Sequence, residues 1–403
     1  MERGHLVDLF GDMENNETPM ETSFLFDLAV ILLVTKVLGI LSRRMHLPQV
    51  VGAIFAGIVV GPALLGLVRP SEILGAFAQV GVILLMFTAG LETDFRQLRS
   101  SLKASLLVAA IGVVVPLAGG FFLALYFGLD ILKSIFIGVI LTATSVGITV
   151  ETLHEMGKLK TKAGTAILGA AILDDILGII ILSMIIGMGD GGLHIAALGL
   201  TFIKICGFFV FSLICGYGVF KIFEFLSEKL GQKRRFSIFA LGFCFFLAYI
   251  AEIFGVADIT GAYFAGLALC NSRAEKHIEE KTTVLSYMFF SPIFFISVGL
   301  MTSFAGLNMN TIIFAVLLLV IAILTKLFGC GLGALLTGHT KRESLQIGTG
   351  MISRGEVAII VAARGISADL MEMSYFSSVI IVVIITTLIT PILLKGAFLE
   401  KNQ

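Results

Sequence analysis

Two adjacent aspartates, Asp174 and Asp175, stand in the run AILGAAILDDILGIIILSMI with about ten apolar residues on either side. A carboxylate in hydrocarbon is costly, so such a pair is expected to bind something: a cation, a proton or a basic partner. Neighbouring helix positions point about 100° apart, so the two side chains serve different surroundings. One can face a cationic group while the other faces a water-filled cavity.

Three further places carry polar chemistry inside apolar runs. Lys326, in AILTKLFGCG, needs a carboxylate or must shed its proton. Asp174 is the natural partner, with Glu356 and snorkelling to an end as the alternatives. Thr144 and Ser145 lie in TATSVG, a small polar interruption that could unwind a helix and free backbone carbonyls for a cation. Ser353, Arg354 and Glu356 lie in GMISRGEVAIIVA, a second such interruption, where Arg354 and Glu356 could offset exposed helix ends. The bland alternative for the hydroxyls is ordinary helix packing.

Other chemistries find less support. The five cysteines fall in apolar stretches with no CxxC pair, and the six histidines sit at segment ends or in polar turns, which argues against an intramembrane metal site. No cofactor is expected. Gly187, Gly189 and Asp190 spell the GxGD of intramembrane aspartyl proteases, but glycines follow at 191 and 192, so a turn is the expected role. A cation channel could also use carboxylates and broken helices.

The elements that position these residues are membrane helices. The chain is 57% hydrophobic and 14% charged, where soluble domains carry about 25% charged residues. Its mean hydropathy is +1.03. Net charge is zero, so no basic surplus points to nucleic acid. With about 20 apolar residues per crossing, thirteen spans are expected, at 23–42, 48–67, 73–91, 104–127, 131–153, 163–188, 194–224, 236–254, 257–271, 283–302, 309–337, 344–363 and 373–396. Residues 1–22 lack the pattern of a signal peptide. If the loops alternate sides, twenty Lys and Arg in loops and at span ends fall on one side and four on the other. The positive-inside rule then puts the N-terminus outside and the C-terminus in the cytoplasm.

An internal repeat organises the spans. GAIFAG at 52–57 matches GAYFAG at 261–266, and residues 88–95 match 297–304, both at an offset of 209. The matching spans are seven apart, and an odd separation reverses membrane direction. Inverted repeats of this kind build secondary transporters around broken helices at mid-membrane. The same offset sets Thr144 and Ser145 opposite Ser353 and Arg354, so both halves are expected to break at equivalent depth.

From GAIFAG through ATSVGIT, ILDDILG and ILTKLFG to SRGEVAII, the chain resembles the cation:proton antiporter superfamily, in particular its bacterial sodium/proton antiporters with a double-aspartate motif. The resemblance implies an all-α polytopic protein with two crossed, discontinuous helices. It also implies a homodimer in the bacterial cytoplasmic membrane, with a scaffold at 23–102 and 236–305 and a mobile ion-carrying core at 103–190 and 306–397. Residues 191–235 would link the two, and tails would occupy 1–22 and 398–403. Related potassium efflux proteins carry a cytosolic nucleotide-binding domain, for which few residues remain here after the last span.

Carried over by motif, Asp175 is the carboxylate that binds Na+ and protons, and Asp174 pairs with Lys326. Thr144 and Ser145 form the unwound crossover beside the ion, and Arg354 and Glu356 are the charged pair of the second crossover helix. Partners are then protons and monovalent cations, with Na+ expected and Li+ and K+ equally suited to hard oxygen ligands. Exchange follows if the two ions compete for Asp175.

Overall fold

A computed structural model describes residues 20–189, 195–230, 236–302 and 309–399. Among these, all regular structure is helical. The first repeat contains α1 (Met20–Arg44), α2 (Gln49–Val60), α3 (Glu72–Glu92), α4 (Phe95–Tyr126), α5 (Ile131–Ile140), α6 (Val146–Glu155) and α7 (Lys162–Gly189). The long helix α8 (Ile195–Leu230) follows. The second repeat contains α9 (Phe236–Ile253), α10 (Asp258–Leu269), α11 (Glu275–Leu285), a π-helical turn (Ser286–Phe290) and α12 (Ser291–Leu300). It continues with α13 (Met309–Leu336), α14 (Lys341–Gly350), α15 (Glu356–Ser367) and α16 (Met373–Phe398).

Nine helical stretches among the described residues are long and apolar enough to cross a membrane. The other four of the thirteen expected spans take different forms. Those at 48–67 and 257–271 contain only the twelve-residue helices α2 and α10. Those at 131–153 and 344–363 are each two half-helices, α5 with α6 and α14 with α15.

Short polar side chains set several starts. Ser71 accepts from the Leu74 N–H at α3, Asp94 from the Arg96 and Gln97 N–H groups at α4, and Asp130 from the Lys133 N–H at α5. At α14 Thr340 and Glu343 form a reciprocal capping box. Helix α4 is continuous from Phe95 through the position expected to divide scaffold from core at 102/103, and the preceding turn lies at Thr93 and Asp94. Asp190 and residues 303–308 lie outside the described residues.

Glycine contacts make the internal symmetry visible. Gly57 of α2 lies against the Ile296 carbonyl and Gly299 of α12, and Gly266 of α10 lies against the Phe87 carbonyl and Gly90 of α3. Each residue of the first contact is 209 positions from its counterpart in the second, so one contact repeats the other with the halves exchanged. A Cβ at either position would collide with backbone, which is why glycine is needed there. Further along, Gly138 of α5 lies on the Leu117 carbonyl and Gly348 of α14 on the Leu327 carbonyl, an offset of 210. The second repeat has therefore gained one residue before Leu327.

That extra residue corrects the expected register at the breaks. The first runs from the end of α5 at Ile140 to Val146, and the second from Gly350 to Glu356, again 210 apart. Thr144 is thus equivalent to Arg354, and Ser145 to Gly355. Close packing of backbone through the glycines fixes this alignment, whereas an apolar sequence match tolerates a slip of one.

Candidate ion site at the crossed breaks

The two interrupted helices meet at their breaks. The Ser145 N–H donates to the Ser353 carbonyl at 2.8 Å, and Ser353 Oγ donates back to the Ser145 carbonyl at 2.8 Å. Thr149 Oγ1 donates to the Gly350 carbonyl at 2.7 Å and lies 3.0 Å from Ser353 Oγ. These bonds satisfy backbone groups that unwinding releases, as burial in hydrocarbon requires. Ser145 Oγ itself is buried without a hydrogen-bond partner.

Helix α7 brings the aspartate pair to this crossing, and α13, packed on α4, brings Lys326. Lys326 Nζ lies 3.0 Å from Asp174 Oδ1 and 2.9 Å from Oδ2, and Thr144 Oγ1 donates to Oδ2 at 2.5 Å. Both side chains of this ion pair are fully enclosed. Of the readings open for Lys326, the ion pair to Asp174 is the one its ammonium makes. Asp175 is buried but keeps 9% exposure, against 2% for Asp174, as expected for neighbours pointing in different directions.

Arg354 is also fully buried. Its Nη1 donates to the Ala143 carbonyl at 2.8 Å and Nη2 to the Ala322 carbonyl at 3.5 Å. The guanidinium therefore sits on the carbonyl end of the first break, where a helix dipole favours a cation. Glu356 opens α15, an end that favours an anion; its side chain lies outside the described residues.

Several contributors were not picked out from sequence. The Arg354 N–H donates to Thr386 Oγ1 at 3.2 Å, and Thr387 Oγ1 donates to the Arg354 carbonyl at 2.6 Å. Two consecutive hydroxyls in the apolar run of α16 were the available signal. Thr149 lies just past the interruption at Gly147. A Cβ on Gly355 would stand 2.6 Å from Ser145 Oγ, so this glycine lets the two breaks approach. Gly355 lies in the second interruption, but no local pattern marks it as the residue that meets Ser145.

Residues 29–399 match the family described as sodium/hydrogen exchanger, transmembrane. The chain belongs to that family. As an exchanger it is a transporter and not an enzyme, which removes the protease reading. It is 43% identical to the Na+/H+–K+ antiporter GerN of Bacillus cereus, over 95% of this chain and 98% of GerN. It is 36% identical to the Na+/H+ antiporter of Enterococcus hirae, over 92% and 97%. Its fold matches that of the sodium proton antiporter MjNhaP1 from Methanocaldococcus jannaschii with a TM-score of 0.70, at 20% identity and covering 93% of this chain and 96% of that one. The exchanger's placement in the cation:proton antiporter superfamily and its polytopic, all-helical architecture agree with the sequence reading.

Proposed function

We propose that this exchanger moves Na+ against H+ by alternating access, with both ions competing for Asp175. The observation that carries the reading is the division of labour in the aspartate pair. Asp174 is bound by Lys326 and Thr144, while the Asp175 carboxylate, also buried, points about 100° away around α7.

Competition gives exchange by simple electrostatics. A proton or a Na+ neutralises the Asp175 carboxylate, and the neutral site can cross a low-dielectric barrier that the bare anion cannot. Uncoupled leak is thereby suppressed. Ser145 and the carbonyls of the unwound segments supply hard oxygens of the kind that suit Na+. Lys326 holds Asp174 in place, and Arg354 offsets the carbonyl end of the first break.

In this reading α4 to α7 and α13 to α16 form the moving core, α1 to α3 and α9 to α12 form the scaffold, and α8 links them. Two copies associate through the scaffold in the bacterial cytoplasmic membrane. The N-terminus is outside and the loops rich in Lys and Arg are cytoplasmic, on the charge asymmetry of the loops. The name of the Bacillus cereus relative makes K+ a further cargo to test.

The test is proton movement in proteoliposomes driven by Na+, Li+ or K+ gradients. Wild type should respond to Na+, and Asp175→Asn should abolish the response while the protein remains folded. Retained exchange in Asp175→Asn removes Asp175 from its role.

A further inference from the structure

A second carboxylate that the exchange mechanism does not use stands on the half-helix leaving the crossing. Glu151 of α6 is 9% exposed, and its Oε2 is buried with no hydrogen-bond partner. It lies six residues beyond Ser145, about 9 Å along the axis at about 1.5 Å per residue, toward the loop that carries Lys158 and Lys160 and leads to Lys162 at the start of α7.

Gly147, Glu151 and His154 follow one helical stripe, at i, i+4 and i+7. This stripe rests on α3, α12 and the π-helical turn. A Cβ on Gly147 would meet Val82 of α3 at 3.0 Å and Phe294 of α12 at 3.3 Å. Glu151 faces the hydroxyl of Tyr287 in the π-helical turn. The His154 ring stacks on Tyr287 with centroids 4.9 Å apart and planes inclined by 20°, and its Nε2 lies 2.9 Å from Glu92 Oε1 of α3. A π turn rotates the side chains that follow it relative to a regular helix, and such turns recur at functional sites.

The charged groups around this position are mostly acidic. Glu155 on α6 is taken by the Gln49 N–H at 2.9 and 2.8 Å and by Arg43 at 3.7 Å. Glu92 on α3 is near enough to act on Glu151, and Glu279 on α11 acts on Glu92 and His154 and is itself opposed by Lys160. His154 is the nearest base. An enclosed carboxylate oxygen in an acidic, oxygen-rich setting is costly unless a positive charge joins it.

We propose that Glu151, with the Tyr287 hydroxyl, is a second binding station for a proton or a monovalent alkali cation, reached from the basic-loop side before Asp175. This rests on the exchange reading above. The station lies on the seam between α6 and the scaffold helices, so its occupant arrives as the seam closes and leaves as it opens. One positive charge replaces another, and the carboxylate is not buried bare.

The experiment measures initial exchange rates in oriented proteoliposomes, with Na+ presented on each side in turn and across a pH series. Glu151→Gln should shift the pH midpoint by about one unit, a ten-fold change in proton affinity, or raise KM for Na+ on the basic-loop side alone by a similar factor. A pH shift alone identifies a proton as occupant, and a one-sided KM change alone identifies Na+. Tyr287→Phe should move the same quantity in the same direction by less. An unchanged pH midpoint together with an unchanged one-sided KM in Glu151→Gln overturns the station, as does an equal rise in KM on both sides. If Glu151→Gln lowers the yield of folded protein, Tyr287→Phe decides by the same two readouts. Failure of wild-type exchange, or its survival in Asp175→Asn, instead rejects the reading on which the station rests.

Discussion

The two breaks share a backbone and differ in chemistry. Thr144 and Arg354 occupy equivalent positions, as do Ser145 and Gly355. Thr144 offers a neutral hydroxyl to Asp174 on α7, and Arg354 sends a guanidinium across to the carbonyl end of the other break. The last helix of the first repeat brings Asp174 and Asp175 to this region; the last helix of the second brings Thr386 and Thr387. Equivalent residues also meet each other: Ser145 Oγ fills the space where a side chain on Gly355 would stand. Near a pseudo-twofold axis there is room for one such side chain, so the halves cannot both carry it. A duplicated architecture thereby acquires an asymmetric crossing, where the proposed exchange site lies.

The strongest way to break this asymmetry is to remove its buried charge compensation. Lys326→Ala leaves Asp174 enclosed with Thr144 alone and should cost about 3–5 kcal/mol, read as a fall in Tm in detergent. Neutralising both partners, as Asp174→Asn with Lys326→Met, should recover much of that loss; a double variant as unstable as the single one would remove the charge argument.

The hydroxyls of the two breaks should then rank unequally. Thr144→Val deletes a donor to a charged carboxylate, at about 1.5–3 kcal/mol, while Thr387→Val deletes a donor to a neutral carbonyl, at about 0.5–1.5 kcal/mol. Equal losses by thermal denaturation would mean the breaks are electrostatically alike. Gly355→Ala overpacks the crossing against Ser145 and should cost about 1–3 kcal/mol together with exchange rate. An alanine variant with full stability and activity would show that the crossing can open.

The smallest effect lies at the start of α14, away from the crossing. Thr340→Ala should cost about 1 kcal/mol through loss of its cap. The Thr340 N–H holds the Glu343 carboxyl below its usual value. A lowered folded pKa gives stability that is present above the unfolded value of about 4.3 and lost as pH falls through the folded one. Glu343→Gln should therefore flatten the acid limb of the stability profile slightly, and an unchanged limb would place acid sensitivity elsewhere.

Much of the architecture was legible because hydrocarbon imposes few solutions. Long apolar runs had to be helices, and the repeat in GAIFAG and GAYFAG reflects a packing that tolerates only glycine at Gly57 and Gly266. The intramembrane charges stood out for the same reason. The true alignment of the breaks was not legible, since one extra residue before Leu327 changes no local pattern. Neither were the contacts of Thr149, Thr386 and Gly355, whose residue types are common in membrane helices and acquire meaning only from what lies opposite.

The sequence by itself determined that this is a polytopic helical exchanger with a duplicated, inverted plan and charged groups at fixed depth along named helices. The cost of burying charge and unpaired backbone in lipid makes those features conspicuous in one dimension. Only the tertiary structure decided how the aspartates of the opening pair differ. The pairing of Lys326 with Asp174, the guanidinium of Arg354 on the Ala143 carbonyl and the meeting of Ser145 with Gly355 join segments 152 to 211 residues apart. Such contacts depend on helix rotation and on close approach of backbones, which no local pattern records.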